Sequence, residues 1–122
     1  ALAWPLVGTV SQGFDSAHPA VDIAAPYGST IYAADDGTIT YADWAQTGYG
    51  YTIIVDHGDG RSTWYNHLKG TLLEAGNFIP RGTPIGEVGS TGHSSGPHLH
   101  FELRLDGEAV DPIEYLPGTV PQ

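Results

Sequence analysis

The sequence contains no cysteine among its 122 residues. Disulfide bonds are therefore excluded, and any metal site must be built from histidine and carboxylate side chains. The chain carries six histidines and fourteen acidic residues. The metal chemistry open to it is consequently that of imidazole nitrogen and carboxylate oxygen.

Basic residues are scarce as well. Four lysines and arginines stand against fourteen acidic residues, which gives a formal net charge of −10. This sign is wrong for binding a phosphate backbone, so we expect no nucleic-acid partner. It also argues, more weakly, against binding an anionic lipid or polymer surface.

The sequence has no long hydrophobic run. None approaches the ~20 apolar residues of a membrane helix, and the first residues lack a signal-peptide pattern. We therefore expect no direct membrane insertion and interpret the chain, which begins at Ala1, as a mature product or an excised domain. Its length predicts one domain over residues 1–122, with a core at about 12–116 and a frayed tail at 117–122. We expect a monomer.

Uninterrupted segments of helical length are also missing. Seventeen glycines and nine prolines are spread so evenly that the longest segment free of both is residues 38–47. The segments between them are rich in β-branched and aromatic residues, as in "GTITYADW", "YTIIVDH", "RSTWYNHL" and "HLHFELRL". This pattern predicts an all-β fold built on a compact antiparallel sheet.

Two local signals refine that prediction. The Gly-Asp-Gly turn in "VDHGDGRSTW" predicts an antiparallel hairpin that joins residues 51–57 to residues 61–68. The C-terminal segment "VDPIEYLPGTVPQ" leaves room for at most one helical turn after Pro112.

The stretch "GPHLHFE" places two histidines in a predicted strand. Because side chains alternate in a strand, His98 and His100 point to one face about 7 Å apart, while Leu99 and Phe101 point to the other. Such a pair is as compatible with metal binding or catalysis as with hydrogen-bonded packing. Glu102 shares the histidine face and could either orient an imidazole or form a salt bridge.

The other histidines are less informative by themselves. His18 and Asp22 in "HPAVD" and His67 in "YNHL" each favour a structural role when taken alone. His57 is predicted to be a turn residue and His93 a solvated loop residue, so neither enters the predicted site.

Taken jointly, these residues match the donor set of a catalytic zinc site. Two histidines and one aspartate can bind the ion and leave a fourth position for water. Two further histidines would remain for proton transfer and for stabilising negative charge. The sequence has no H-E-x-x-H helix that could supply a glutamate base.

Three stretches in the order "HPAVD", "YNHL" and "GPHLHFE" closely resemble the lysostaphin/LytM-type zinc endopeptidases of peptidase family M23. The similarity runs from about residue 12 to residue 116. It implies an antiparallel β fold with a groove across the sheet, and hydrolysis of peptide bonds in the peptide cross-links of bacterial cell-wall peptidoglycan. It also implies an extracytoplasmic location.

The resemblance assigns roles to five residues. His18, Asp22 and His100 match the ligands of one Zn²⁺ ion, and His67 and His98 match the two catalytic histidines. Many relatives have glycine in H-x-G-x-D where this chain has Ala20, and "SQGFDSAHP" lacks a longer arginine-bearing loop. These departures leave the shape of the groove on that side open.

Three alternatives follow from the same residues. One is a non-catalytic wall-binding or amidase-activating module of the same fold, a class in which the ligand set is usually incomplete. Another is a carrier domain, for which the single lysine, Lys69, would have to lie on a tight turn. The third is a structural zinc site, which would need a fourth protein ligand.

Overall fold

The structure is a computed structural model that describes residues 2–92 and 94–122. Within this part of the chain every regular element but one is a strand: β1 (Thr9–Gln12), β2 (Val21–Ala24), β3 (Thr30–Tyr32), β4 (Gly37–Ala45), β5 (Gly50–Asp56), β6 (Arg61–Thr71), β7 (Phe78–Ile79), β8 (Pro84–Val88), β9 (His98–Leu105) and β10 (Glu108–Val110). The exception is a 3₁₀-helix, Pro112–Tyr115. The predicted all-β fold is confirmed.

The strands form one antiparallel sheet in the order β1-β2-β9-β6-β5-β4-β7. Next to this path, β10 pairs with β9, and β8 pairs with both β3 and β6. Strands β9, β6 and β5 therefore occupy the centre, where each has a partner on both sides.

The predicted hairpin is present as β5 and β6. Its strands pair from Asp56 opposite Ser62, and His57 N–H donates to Arg61 O at 3.0 Å across the turn. Gly58 and Gly60 have φ of 86° and 85°, a region that glycine adopts without steric cost. The Gly-Asp-Gly signal thus reflects the backbone conformation that the turn requires.

The C-terminal segment forms the single turn expected after Pro112. Asp111 caps it, since its side chain accepts from Ile113 N at 3.0 Å. The tail that composition led us to expect as frayed is hydrogen-bonded to the N-terminal segment: Trp4 Nε1 donates to Pro117 O at 2.6 Å, and Gly8 N donates to Pro121 O at 2.8 Å. No helix in the described residues has the length and apolarity to cross a bilayer.

One face of the central strands carries the hydrophobic core. On β9 the core side chains are Leu99, Phe101 and Leu103, all fully buried. Phe101 packs against Tyr65 of β6 with ring centroids 5.4 Å apart. Because strand side chains alternate, His98, His100 and Glu102 must project from the opposite face, which we call the site face.

Candidate metal centre and groove

Strand pairing brings an aspartate and a histidine together on the site face. Asp22 of β2 lies directly opposite His100 of β9 in the antiparallel register. Their strand neighbours Ile23 and Leu99 are fully buried in the core. The apolar face therefore fixes the register that places the two polar side chains side by side.

His18 reaches the same place from the loop before β2. The loop closes through paired backbone hydrogen bonds between Asp15 and His18, at 3.0 and 3.1 Å, and Ala17 N donates to the Asp15 carboxylate at 2.8 Å. His18 Nδ1 lies 3.0 Å from Gly13 O. A carbonyl can only accept, so Nδ1 carries the proton and Nε2 of the neutral ring is a free acceptor.

His100 has the complementary tautomer. Its Nε2 lies 2.8 Å from the Glu102 carboxylate, which assigns the proton of the neutral ring to Nε2 and leaves Nδ1 unprotonated. That Nδ1 lies 3.4 Å from Asp22 Oδ1, and His18 Nε2 lies 3.2 Å from Asp22 Oδ2. Two imidazole lone pairs therefore face one carboxylate.

This arrangement fits a cation. One ligand atom from each of His18, Asp22 and His100 lies within 4.8 Å of the other two. Asp22 Oδ1 is buried and has no hydrogen-bond partner among the described residues. A buried acceptor without a donor is costly, and a metal ion would compensate all three donor atoms at once.

The pKa shifts follow from the same contacts. Burial disfavours the charged form of both groups, but each stabilises the other's charge at short range. The pKa of Asp22 is lowered by His100, His18 and His98, whereas the pKa of His100 is raised by Asp22 and Glu102. Without a metal ion, protonation of His100 Nδ1 would give this atom a hydrogen to donate toward Asp22 Oδ1. The repulsion between the facing lone pairs would then be removed.

Glu102 lies beneath the site and accepts hydrogen bonds from the side chains around it. Its side chain is fully buried and accepts from His100, from Tyr49 Oη and from Arg104, whose Nε and Nη2 lie 2.8 and 2.7 Å from Oε1. Burial opposes its ionisation, yet these donors lower the pKa of Glu102. Burial, together with Glu102, raises the pKa of Tyr49 to about 12, so Tyr49 remains a phenol that donates.

A β-bulge delivers His67 to the site face. Tyr51 pairs with Leu68 and Ile53 with Tyr65, so β6 contains one more residue than β5 over this interval. His67 has φ of 65°, which is uncommon for a residue other than glycine. By alternation from Tyr65, position 67 would face the core; the extra residue turns it toward the groove.

His67 and His98 stand together beside the ligand group. Their ring centroids are 5.0 Å apart, and His67 is 5.7 Å from His100. His67 Nδ1 lies 2.7 Å from Thr91 O, and His98 Nδ1 lies 2.9 Å from Gly96 O. Both neutral rings therefore keep Nε2 as an acceptor. Burial and the neighbouring imidazoles lower the pKa of His67, which favours its neutral form.

All five predicted site residues line one open groove of about 350 Å³. Its other lining residues are Gln12, Thr47, Gly48, Tyr49, Ser94 and Ser95. The structure thus gathers residues from a loop, β2, β6 and β9 in one cleft. Imidazoles and a carboxylate arranged in this way can bind a divalent metal and exchange protons with a molecule in the cleft.

The remaining sequence expectations can be located as well. His57 lies outside the groove and contacts Asp36 O and Thr63 Oγ1 at 2.6 and 3.0 Å, whereas His93 lies outside the described residues. Ala20 is fully buried and does not have a positive φ. Lys69 lies within β6 rather than on a tight turn, which argues against the carrier-domain alternative.

Sequence reasoning missed part of the support around these residues. Glu102 was placed on the correct face but left out of the site. Asn66 also supports the site: it is buried, donates to His100 O at 3.0 Å and accepts from Thr52 Oγ1 at 3.0 Å. The alternation of side chains along β9 could reveal that Glu102 lies on the site face, whereas nothing in the local sequence indicates the role of Asn66.

The chain is similar to known proteins over most of its length. The sequence profile of peptidase family M23 matches residues 16–112. The chain is 43% identical over 96 residues to the DD-carboxypeptidase/endopeptidase Mpg of Neisseria meningitidis, covering 79% of this chain and 22% of the relative. It is 38% identical over 117 residues to the murein hydrolase activator NlpD of Escherichia coli, covering 93% and 31%. The chain thus spans less than a third of either relative.

Solved structures give the same result. Lysostaphin from Staphylococcus simulans superposes with a TM-score of 0.82 at 31% identity, over 88% of this chain and 48% of that chain. A zinc-containing peptidase from Vibrio cholerae superposes with a TM-score of 0.83 at 28% identity, over 88% and 37%. The similarity therefore covers most of this chain.

Proposed function

The chain belongs to peptidase family M23, and from this premise we propose that it is a zinc-dependent endopeptidase that hydrolyses peptide bonds in the cross-links of bacterial cell-wall peptidoglycan. The observation that carries the proposal is the convergence of five side chains in one groove: His18, Asp22, His100, His67 and His98. A metal site needs three of them, and the other two, His67 and His98, line the same groove beside the ligand group.

The residues present fit zinc. His18 Nε2, Asp22 and His100 Nδ1 would hold the ion, because each offers an unprotonated donor atom toward the same point. Nitrogen and oxygen donors of this kind, three in number, are typical of catalytic zinc sites. When bound, zinc would polarise the peptide carbonyl and lower the pKa of a bound water toward neutrality.

His67 and His98 would handle the protons. Each donates Nδ1–H to a backbone carbonyl, so each presents Nε2 to the cleft in a fixed orientation. One would accept a proton from the attacking water and pass it to the leaving amine, while the other, once protonated, would donate to the developing oxyanion. Burial and the neighbouring imidazoles lower the pKa of His67, so its ring is neutral and Nε2 is open to a proton.

The direct test is digestion of purified peptidoglycan from several bacteria. Zinc-loaded protein should release new fragments, identified by mass, and a chelator should prevent their release. A His98→Ala protein, with its metal content measured, serves as the inactive control. Unchanged muropeptides from every wall, despite one zinc per chain, would overturn the proposal. The fragment masses would also identify the bond that is cleaved.

A second function is supported by the relative named murein hydrolase activator, which matches 93% of this chain. As an activator, the domain would use the groove or its rim to bind a hydrolase and need not turn over a peptide. Mixing the chain with a purified cell-wall amidase and wall fragments tests this. Faster release by the amidase, together with no cleavage by the chain alone, supports the activator function.

The location follows from the substrate. Peptidoglycan lies outside the cytoplasm, so we propose an extracytoplasmic location. The net charge of −10 disfavours tight adhesion to an anionic wall by this domain alone. Targeting would then depend on another module or on confinement in a periplasm.

A further inference from the structure

We infer that an apolar pocket next to the metal groove binds an uncharged apolar side chain of the substrate, within about three residues of the bond that is cleaved. This inference rests on the proposed peptidase function. The pocket has a volume of about 270 Å³ and lies over β4, β5 and β6. Its lining residues are Tyr41, Ala45, Thr47, Tyr49, Thr52, Ile54 and Trp64.

The pocket is continuous with the groove. Thr47 and Tyr49 line both cavities. Trp64 is directly opposite Glu102 in the register of β6 and β9, so the pocket lies on the site face, two positions along β9 from His100. A peptide that crosses the groove can therefore reach the pocket without leaving the sheet surface.

The pocket is within reach of a peptide held at the metal ligands. The Tyr49 ring is 5.0 Å from the His100 ring and 6.5 Å from the Trp64 ring. An extended chain advances about 3.3 Å per residue. The path from the His100 ring across Tyr49 to the Trp64 ring spans both distances, so the side chain that enters the pocket belongs to a residue within about three positions of the one held at the metal ligands.

The pocket offers mainly carbon surface, and four of its polar groups are already engaged. Tyr49 Oη donates to Glu102, and Tyr41 Oη donates to Trp44 O. Thr52 Oγ1 donates to Asn66 at 3.0 Å, and Trp64 Nε1 donates to Ser62 Oγ at 3.2 Å. A charged guest would lose its hydration without gaining a partner from these groups, whereas an apolar guest is favoured by burial.

The pocket wall is held rigidly. The Arg104 guanidinium lies 3.6 Å from the centroid of the Trp64 ring and is paired with the buried Glu102. Tyr49 is held by the same carboxylate. The two aromatic walls are thus attached to the group that orients His100, and a pre-formed wall lowers the entropic cost of ordering a guest.

Blocked synthetic peptides test the inference. A glycine- and alanine-based series would carry one guest residue, Leu, Ala, Asp or Lys, at each position in turn, and kcat/KM would be measured with zinc-loaded protein. At one position the Leu peptide should be cleaved about 10- to 100-fold faster than the Asp peptide, the discrimination that a hydrophobic pocket can give. Equal rates for all guests at every position would overturn the inference and leave the proposed function intact.

Two variants test whether the preference for the Leu peptide arises in this pocket. Ala45→Phe would fill the pocket from the end of β4 and should reduce kcat/KM for the Leu peptide to that for the Ala peptide. Thr38→Phe adds the same ring at an exposed position of the same strand outside the pocket and should keep the preference. Thermal melts confirm that both proteins fold. An unchanged Leu preference in Ala45→Phe would overturn the assignment of the preference to this pocket.

A binding measurement covers the case in which no peptide is cleaved. The proposed function would still be judged by wall digestion, and the pocket would be judged separately from the NMR signal of the Trp64 indole N–H. A Leu peptide should shift this signal, an Asp peptide should not, and Ala45→Phe should abolish the shift. If no peptide shifts the signal of the wild-type protein, the pocket inference fails as well.

Discussion

Replacing Glu102 with glutamine should weaken zinc binding although Glu102 is not a ligand. The carboxylate accepts four hydrogen bonds, from His100, Tyr49 and twice from Arg104. Glutamine keeps the shape but turns one acceptor into an NH₂ donor, which must face either His100 or Arg104. In either orientation one donor loses its partner, and His100 loses the charge that holds its proton on Nε2.

The expected magnitude follows from these losses. Removing the partner that orients a metal-binding histidine typically costs 10- to 100-fold in metal affinity, which is about 1.4–2.8 kcal/mol. The fold should also lose about 1.5–3 kcal/mol, since hydrogen bonds to charged groups have this net value. The two effects can be separated, because affinity is measured under conditions in which both proteins are folded.

The assay is a competition titration with a chromogenic chelator, and NMR of the His100 ring reports which nitrogen carries the proton. Thr63→Val is the matched control: Thr63 is buried, contacts Tyr65 Oη at 2.7 Å and lies outside the groove lining. It should destabilise the fold by about 1–3 kcal/mol and leave zinc affinity unchanged. Wild-type affinity in a folded Glu102→Gln protein would refute the orienting role.

Three further predictions follow from the site and its surroundings. His100→Ala should abolish zinc binding, whereas His98→Ala should retain zinc and lower turnover by about 10²–10⁴-fold; zinc content and kcat check this, and the reverse pattern would exchange the two assignments. Chelation should lower the melting temperature, because zinc at 1,000 times its Kd stabilises the native state by about 4 kcal/mol; equal melting with and without chelator would contradict it. Burial disfavours ionisation of Asp35, but the Asp36 N–H and the Arg61 guanidinium outweigh this and lower its pKa from 3.8. The stabilisation is thus present above about pH 4 and lost as the pH falls through the lower folded pKa. The stability difference between the wild type and Asp35→Asn should therefore shrink below pH 4 in denaturant titrations, and a constant difference down to pH 2 would contradict it.

The sheet and the faces of its strands could be predicted because they depend on local periodicity. Alternation along β9 placed His98, His100 and Glu102 together and opposite Leu99 and Phe101. The hairpin turn could also be predicted from its glycines, because the positive φ values at these positions are a local steric requirement. These properties repeat every two residues or are confined to one turn, so the sequence carries them directly.

Other features depend on contacts between distant segments. The bulge that turns His67 toward the groove interrupts the alternation of side chains along β6. The local sequence at this point contains no glycine that would indicate a bulge. The partners of Glu102 include Tyr49, which is 53 positions away. The attachment of the C-terminal tail to Trp4 and Gly8 likewise joins opposite ends of the chain. Composition predicted fraying because it contains no information on such pairing.

The architecture also couples the stability of the sheet to the chemistry of the groove. Alternate residues of β9 serve the core and the site, so a shift of the strand by one residue would turn His100 toward the core and Phe101 toward the groove. The buried apolar face resists this shift, since Leu99, Phe101 and Leu103 are fully buried. The site can therefore tolerate facing lone pairs and an ionised, buried Glu102, because the free energy that holds them in place comes from the opposite face of the same strand.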